Sequence, residues 1–428
     1  MLSAFWSDFT FENVTEKRYF QFFRERTIVQ TINMTDGQFW DRVLLQACHK
    51  EPAIKHAVLA LSSLHMSNSD PELRRRHIDY TERQYAKAIS AAQLQVASAS
   101  PNDLDSVLIT CLLFVCYEAI QGNYAASTTH RLSGRRLLSQ SKESSHAQVS
   151  NEIVQTLWRM EAPALTFQDI SSPYVHQEIR TLFPMAVPYF RTLPEAHASF
   201  VDLTWPYFEA AMVDDVSAKD KRRWQERCNI EHPRCAVYMS VWRQGFDDLV
   251  ARLDTPLTMC VTHLQIWHAT MEALMIAGPY GLETRWDDAM CQYQEVVSLA
   301  EGLIPRLVDA NGNGGFSLEG GYVAAVFHTA TRCRDPILRR RAIAILRIPR
   351  QEGLWHSSGA AAVAQRWLEI EEEGLVNVMS AADFPELSRV LRVRTLVDVA
   401  RSRASLMFEV YDVDGLVTTR SESVQWSK

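Results

Sequence analysis

Close pairs of cysteines are missing from this sequence. Its eight cysteines are spread over 428 residues, and no two of them form a Cys-x-x-Cys pair. A structural zinc site takes four ligands, usually supplied by such close pairs. Cys228 and Cys235 flank His232, but no second pair stands near them in the sequence. We therefore expect no metal site, and we interpret the cysteines as small buried hydrophobic residues of a reduced, intracellular protein.

Long hydrophobic runs are missing too. A membrane-spanning helix needs roughly 18–20 consecutive apolar residues. The best candidate, Val107 to Ile120, is shorter than that and contains Glu118. A buried helix explains this stretch better than a membrane span. The first 20 residues carry acidic side chains early and no basic segment, so we expect no secretory signal.

Catalytic and nucleotide-binding motifs are a third absence. The chain contains no Gly-x-Ser-x-Gly elbow, no Gly-x-x-x-x-Gly-Lys phosphate loop and no His-Glu-x-x-His pair. The stretch from Asn311 to Gly321 is rich in glycine, but it lacks the spacing that cradles a dinucleotide. We interpret it as a flexible loop. The sequence thus gives no catalytic residue and no cofactor, and whether the protein is an enzyme stays open.

What the sequence does have is helical periodicity. Apolar residues recur at helical spacing along most of the chain, while strand-like alternation is almost absent. This pattern predicts an all-α fold. Residues from about 37 to 140 read as successive antiparallel helices joined by short polar loops, a repeat-like layout without a fixed period. The polar segment 140–152 is the first good candidate for a boundary.

Seven arginines fall between Arg332 and Arg350, although the net charge of the chain is −7. Asp335 and Pro336 predict the start of a helix, with Asp as the N-cap and Pro in the first turn. Arg339, Arg340 and Arg341 are consecutive, so they spread over about 200° of that helix. They are the candidate basic patch for nucleic acid. We favour a plainer interpretation, in which this helix packs against an acidic helix formed by the later stretch "WLEIEEEGL".

Aromatic residues offer one further candidate site. Large rings between helices can line a ligand cavity. The candidate lining residues are Trp242, Phe246, Trp267, His268 and Phe327. The alternative, which we favour, is that these aromatic side chains fill the core of a large helical domain.

An ordered set of segments resembles the fungal-specific transcription factor domain of zinc-cluster regulators. It includes "FWDRVLLQACHKEPAIKHAVLALSSLH", "LLFVCYEAIQGNYAASTTHRLSGRRLL", "TATRCRDPILRRRAIAIL" and "WLEIEEEGL". The resemblance extends from about Tyr19 to Leu375. It implies a large all-helical regulatory domain over residues 19–375, with a sub-boundary near 140–152. Residues 1–18 would be an N-terminal extension and residues 376–428 a C-terminal one.

The resemblance also implies a function. Members of this family carry an N-terminal cluster of six cysteines that binds two zinc ions and DNA. Here only about 18 residues precede the matching region, and none is a cysteine. We therefore expect a regulator-like protein without its own zinc cluster, which does not bind DNA directly and controls secondary-metabolite or other metabolic genes. It would work through other regulators, its own copy or a small metabolite, with no membrane partner, in the nucleus or alternatively in the cytoplasm.

Two alternatives stay open. The chain could be the effector region of a conventional zinc-cluster activator whose N-terminal part is missing here. It could also be an enzyme of a biosynthetic pathway, derived from a regulator and using a cavity between helices.

Overall fold

A computed structural model describes residues 11–32, 38–68, 71–98, 103–143, 149–166, 189–211, 218–254, 258–308 and 314–427. The chain divides into two compact units, Met1–Trp158 and Arg159–Lys428. Most described residues are helical, which confirms the all-α prediction. The predicted domain bounds, 1–18, 19–375 and 376–428, stay predictions, as does the sub-boundary near 140–152.

The first unit is built from helices alone, as far as the structure describes it. The α-helices are α1 (Val14–Phe22), α2 (Val29–Ile32), α3 (Leu44–Lys50), α4 (Pro52–Asn68), α5 (Pro71–Ser98), α6 (Leu104–Gln121), α7 (Tyr124–Glu143) and α8 (Asn151–Thr166), of which α8 runs across the boundary between the units. Two π-helical segments, Phe23–Ile28 and Phe39–Val43, continue into α2 and α3.

Helix α4 is the centre of this unit. It begins at Pro52, as predicted, where the missing N–H of proline does not cost a hydrogen bond. Its apolar stripe is buried, with Ile54, Val58 and Leu61 fully inaccessible to solvent. The helix packs against α5 and α6, and α6 packs in turn against α7. Helical periodicity in the sequence thus becomes a layered core.

Helix α6 is apolar on nearly every side. It is long and apolar enough to cross a membrane, and it is the only such helix among the described residues. Its residues from Leu108 to Ile120 are almost all buried between neighbouring helices, which a soluble core helix also satisfies. Gly122 ends it in the left-handed conformation, with φ of 77°.

The second unit combines helices with two small sheets. Its helices are α9 (Leu193–Ala211), α10 (Ala218–Val250), α11 (Met259–Ala277), α12 (Met290–Leu307), α13 (Val323–Arg332), α14 (Pro336–Leu346) and α15 (Ser357–Glu372), with 3₁₀ turns at Glu283–Ala289, Ala381–Asp383 and Glu386–Ser388. Its strands are β1 (Phe316–Ser317), β2 (Gln351–Glu352), β3 (Trp355–His356), β4 (Arg392–Asp398), β5 (Arg403–Tyr411) and β6 (Val417–Gln425).

The C-terminal sheet is an element that the sequence analysis did not foresee. Strands β4, β5 and β6 pair antiparallel in that order, with Val393 opposite Phe408. One face of the sheet packs on α15, where the rings of Trp367 and Phe408 meet edge to face at 6.0 Å. Residues beyond about 390 therefore add a β-layer to the helical body.

The glycine-rich stretch is also different from the expected flexible loop. Residues 311–313 lie outside the described part of the chain, but Phe316 and Ser317 form β1 and are buried. β1 pairs parallel with β2, which pairs antiparallel with β3. The flexible-loop interpretation is wrong for this part because backbone pairing and burial fix it. Sequence alone could not reveal pairing with residues some 35 positions later.

Candidate functional site: a buried arginine–glutamate network

Three of the five candidate cavity residues form one stack. Trp242 and Phe246 project from α10, and their rings lie 4.8 Å apart at an interplanar angle of 14°. His268, on α11, stacks on the indole of Trp242 with a centroid distance of 5.5 Å. Phe200 packs on the same indole at 4.8 Å. Each ring of the stack is therefore covered by another ring.

The other two candidates lie elsewhere. Trp267 donates its indole N–H to the carbonyl oxygen of Gly321 over 2.8 Å. Phe327, on α13, packs against Trp355 at 5.1 Å and against the apolar cluster under the C-terminal sheet. The structure thus brings Trp242, Phe246 and His268 together in one stack, whereas Trp267 bonds to Gly321 and Phe327 packs against Trp355.

His268 is held uncharged within the stack. Burial, and then the nearby charge of Arg243, lowers the pKa of His268 to about 4. Its Nε2 lies 3.5 Å from the carbonyl oxygen of Met239, and the Arg243 guanidinium lies 3.4 Å from Nδ1. A neutral imidazole is the form that a buried aromatic stack accommodates most easily.

The three consecutive arginines of the candidate basic patch point in three directions. Arg339 is fully buried and binds Glu371 over 2.7 Å. Arg340 is about half exposed and pairs with Glu372, also over 2.7 Å. Arg341 pairs with Glu301 of α12. Asp335 caps the helix as predicted, its carboxylate accepting the N–H groups of residues 337 and 338. The three guanidinium groups do not form one surface.

Glu371 of α15 is the hub of a buried charge network. One carboxylate oxygen accepts hydrogen bonds from Arg334, from the indole of Trp367 and from the backbone N–H of Val390, over 2.8 to 2.9 Å. The other oxygen accepts from Arg339. Burial by itself would raise the pKa of Glu371, but the charges of Arg334 and Arg339 outweigh it and hold that pKa at about 2.

Glu283 is the second acid of this network. It accepts from Arg332 over 2.6 Å and from Arg334 over 3.2 Å. Burial would raise the pKa of Glu283, yet Arg332 and Arg334 lower it. Arg334 is therefore shared by two buried carboxylates, one at the end of α15 and one at the start of a 3₁₀ turn.

The segment before the C-terminal sheet is attached to the same 3₁₀ turn. Glu386 accepts the backbone N–H groups of Glu283 and Thr284 over 2.7 and 2.9 Å. Arg389 is only 1% exposed and forms a bidentate ion pair with Asp287, in which each N–O distance is 2.7 Å. Charge-assisted contacts of this kind fix orientation as well as position.

The arginine and carboxylate side chains of this network hold one another in fixed positions. Among the residues that the structure describes, no three His, Cys, Asp or Glu side chains are placed to hold a metal ion. Arg339 was a candidate from the sequence, but Arg334, Glu283 and Arg389 were not, because their roles depend on distant partners. The one available signal was the acidic run around Glu371, which the sequence predicts to pack against the arginine helix.

Comparisons with known proteins show similarity to fungal transcription regulators. Residues 18–177 match the fungal specific transcription factor domain. The aspercryptin biosynthesis cluster-specific transcription regulator atnN of Emericella nidulans is 24% identical over 329 residues, covering 71% of this chain and 53% of that protein. The transcription regulator lscL of Purpureocillium lilacinum is 29% identical over 102 residues, 22% of this chain and 24% of that protein.

The chain therefore spans about half the length of the first of these relatives. No solved structure matches it significantly. The matched domain covers most of the first unit, and the longer alignment covers more of the chain than that unit contains. Over residues 18–177 the chain is thus similar to the fungal specific transcription factor domain, and over a longer stretch it is similar to a fungal transcription regulator.

Proposed function

We propose that this chain is the regulatory part of a nuclear transcription regulator that controls one secondary-metabolite gene cluster. It acts by binding a partner regulator, a second copy of itself or a small metabolite, and not by contacting DNA. The observation that carries the proposal is the alignment over 329 residues with a biosynthesis cluster-specific regulator.

The pairing of the arginine helix supports the part of the proposal that concerns DNA. Non-specific affinity for DNA comes from Lys and Arg side chains that are free to neutralise phosphates. Arg339, Arg340 and Arg341 are each paired with a carboxylate, and Arg339 is buried. Contact with DNA through these residues would require breaking those ion pairs.

Deletion of the gene in its source organism tests the role in regulation. We expect the transcripts of the neighbouring biosynthetic genes to change together, while transcripts of primary metabolism stay constant. A complementing copy that carries Glu372→Gln, which alters only an exposed pair, should restore the pattern. Unchanged transcripts of the neighbouring genes in the deletion strain would overturn the proposal.

A gel shift with fragments of the cluster promoters tests direct contact. We expect no sequence-specific shift with the chain alone at near-physiological salt. A specific shift that is lost in Arg340→Ala and Arg341→Ala variants would instead assign DNA binding to the arginine helix. Both side chains are part-exposed, so these variants should remain folded.

The length of the relative favours a second candidate. Because the chain spans about half of the aspercryptin regulator, it could be the effector region of a longer zinc-cluster activator. Mapping the 5′ end of the native transcript separates the two. An upstream segment with six suitably spaced cysteines would establish the longer activator.

A further inference from the structure

Several polar atoms beside the charge network are buried without a hydrogen-bond partner among the described residues. Three of them are the hydroxyl of Tyr293, Nε2 of His328 and Nε of Arg334. Tyr293 is 1% exposed and Arg334 is fully buried. A buried polar group left unpaired destabilises a protein, so three such groups together point to a missing partner.

The three groups belong to one neighbourhood. The rings of Tyr293 and His328 lie 6.0 Å apart, and the ring of Trp286 lies 5.2 Å from His328. The Arg332 guanidinium lies 5.3 Å from the centroid of the Trp286 ring. The Tyr293 hydroxyl and the His328 imidazole both lie within electrostatic range of Arg332 and Arg334.

Neither ring supplies negative charge to this neighbourhood. Burial raises the pKa of Tyr293, so its hydroxyl stays protonated and can donate. Burial, and then the charges of Arg332 and Arg334, lowers the pKa of His328 to about 3, so its imidazole stays neutral. A neutral imidazole can still donate from Nε2 in one of its two tautomers.

The adjoining network carries more positive than negative charge. Four arginines, Arg285, Arg332, Arg334 and Arg339, share two carboxylates, Glu283 and Glu371, so positive charge is in excess. A buried charge is costly unless it is paired. The available donors and the excess positive charge both match an anionic ligand.

We propose that Tyr293, His328 and Arg334 form a binding site for a small carboxylate anion. The hydroxyl of Tyr293 and Nε of Arg334 donate to its oxygens, and Trp286 forms an aromatic wall. Arg332, whose guanidinium lies over the Trp286 ring, has a side chain that is 19% exposed. This site does not depend on the proposed function, since it follows from the local chemistry alone.

Acetate is the probe that tests this site. Sodium acetate replaces sodium chloride stepwise at constant ionic strength and pH, and the thermal unfolding of the purified full chain is followed. A ligand that binds only the folded state raises the unfolding temperature with its concentration. We expect acetate to do so, and we expect Tyr293→Phe to weaken acetate binding at least ten-fold, since a hydrogen bond to a charged group is lost.

The control is Tyr80→Phe, which removes another buried, unpartnered hydroxyl in the first unit, where the acidic Glu12 and Glu16 lie within electrostatic range. Without acetate, Tyr293→Phe should be no less stable than the wild type, because it removes an unpaired hydroxyl. Lost acetate binding is then not a folding defect. Acetate that stabilises neither protein, or stabilises Tyr293→Phe as strongly as the wild type, would overturn the proposal.

Discussion

Replacing Glu371 by glutamine removes the hub of the buried network while keeping its size. The substitution deletes the negative charge that faces Arg334 and Arg339, both fully buried. Arg334 keeps Glu283 as a partner at 3.2 Å, but Arg339 loses the carboxylate that holds it. The amide nitrogen of the new side chain also donates, so it opposes one guanidinium.

The size of the effect follows from burial. Removing one partner of a buried ion pair destabilises a protein by about 3–5 kcal/mol, because the other charge is left uncompensated. The next residue supplies a matched control. Glu372 pairs with Arg340 over the same 2.7 Å, but Arg340 is 52% exposed. An exposed pair contributes at most about 1 kcal/mol, so Glu372→Gln should be nearly silent.

Urea unfolding of the full chain, followed by tryptophan fluorescence, compares the two variants. With a denaturant slope of about 2 kcal/mol per molar, Glu371→Gln should lower the unfolding midpoint by roughly 2 M. Raising the salt concentration should erase any small effect of Glu372→Gln and leave that of Glu371→Gln, since buried pairs are weakly screened. Equal effects of the two substitutions would refute the reasoning that burial sets the contribution of each pair.

Two further predictions concern the same unit. The rings of His263 and His197 lie 5.8 Å apart. Burial, and then the charge of Arg350, lowers the pKa of His263 to about 3. Burial, and then the charge of Arg159, lowers the pKa of His197 well below its usual range. Above pH 6.5, roughly the pKa of a histidine in the unfolded chain, these two groups do not lower the free energy of unfolding. As the pH drops toward 3, the free energy of unfolding falls by up to about 1.4 kcal/mol per pH unit for each histidine, because the unfolded chain takes up the protons. Urea midpoints that stay constant between about pH 6.5 and 5 would contradict this. A methyl group at Gly321 would overlap the carboxylate of Glu352. That carboxylate accepts two backbone N–H groups at the start of α13. Gly321→Ala should therefore lower the free energy of unfolding by about 1–3 kcal/mol. The matched change Gly302→Ala, inside α12 with open space around it, should stabilise by about 0.5–1 kcal/mol, and thermal unfolding of both variants checks the pair.

The helices were predictable because their signals are local. Pro52 and Asp335 mark the first turns of α4 and α14, and both helices begin where those residues indicated. A cap or a periodic apolar stripe involves residues within a few turns of one another, so a single stretch of sequence contains the whole signal. The same reasoning explains why the fold class was correct although no long-range contact was known.

The C-terminal sheet was missed for the opposite reason. Strand β5 does alternate, with Ala404, Leu406 and Phe408 buried on one face. Its neighbours β4 and β6 are richer in charged and polar residues, and their pairing is visible only once they meet β5. Short alternating segments are weak signals, and sheet pairing depends on residues that are distant in sequence.

The candidate site shows where sequence reasoning about charge stops. Arg339, Arg340 and Arg341 are identical and consecutive, yet one is buried and two are part-exposed. The helix fixes the angle between them, but which angle faces the core is decided by α15 and by the segment that follows it. A basic run in an acidic protein is therefore not evidence for a nucleic-acid surface until its carboxylate partners are known. Here those partners lie 32 and 40 residues away, and only the pair of Arg339 with Glu371 is buried.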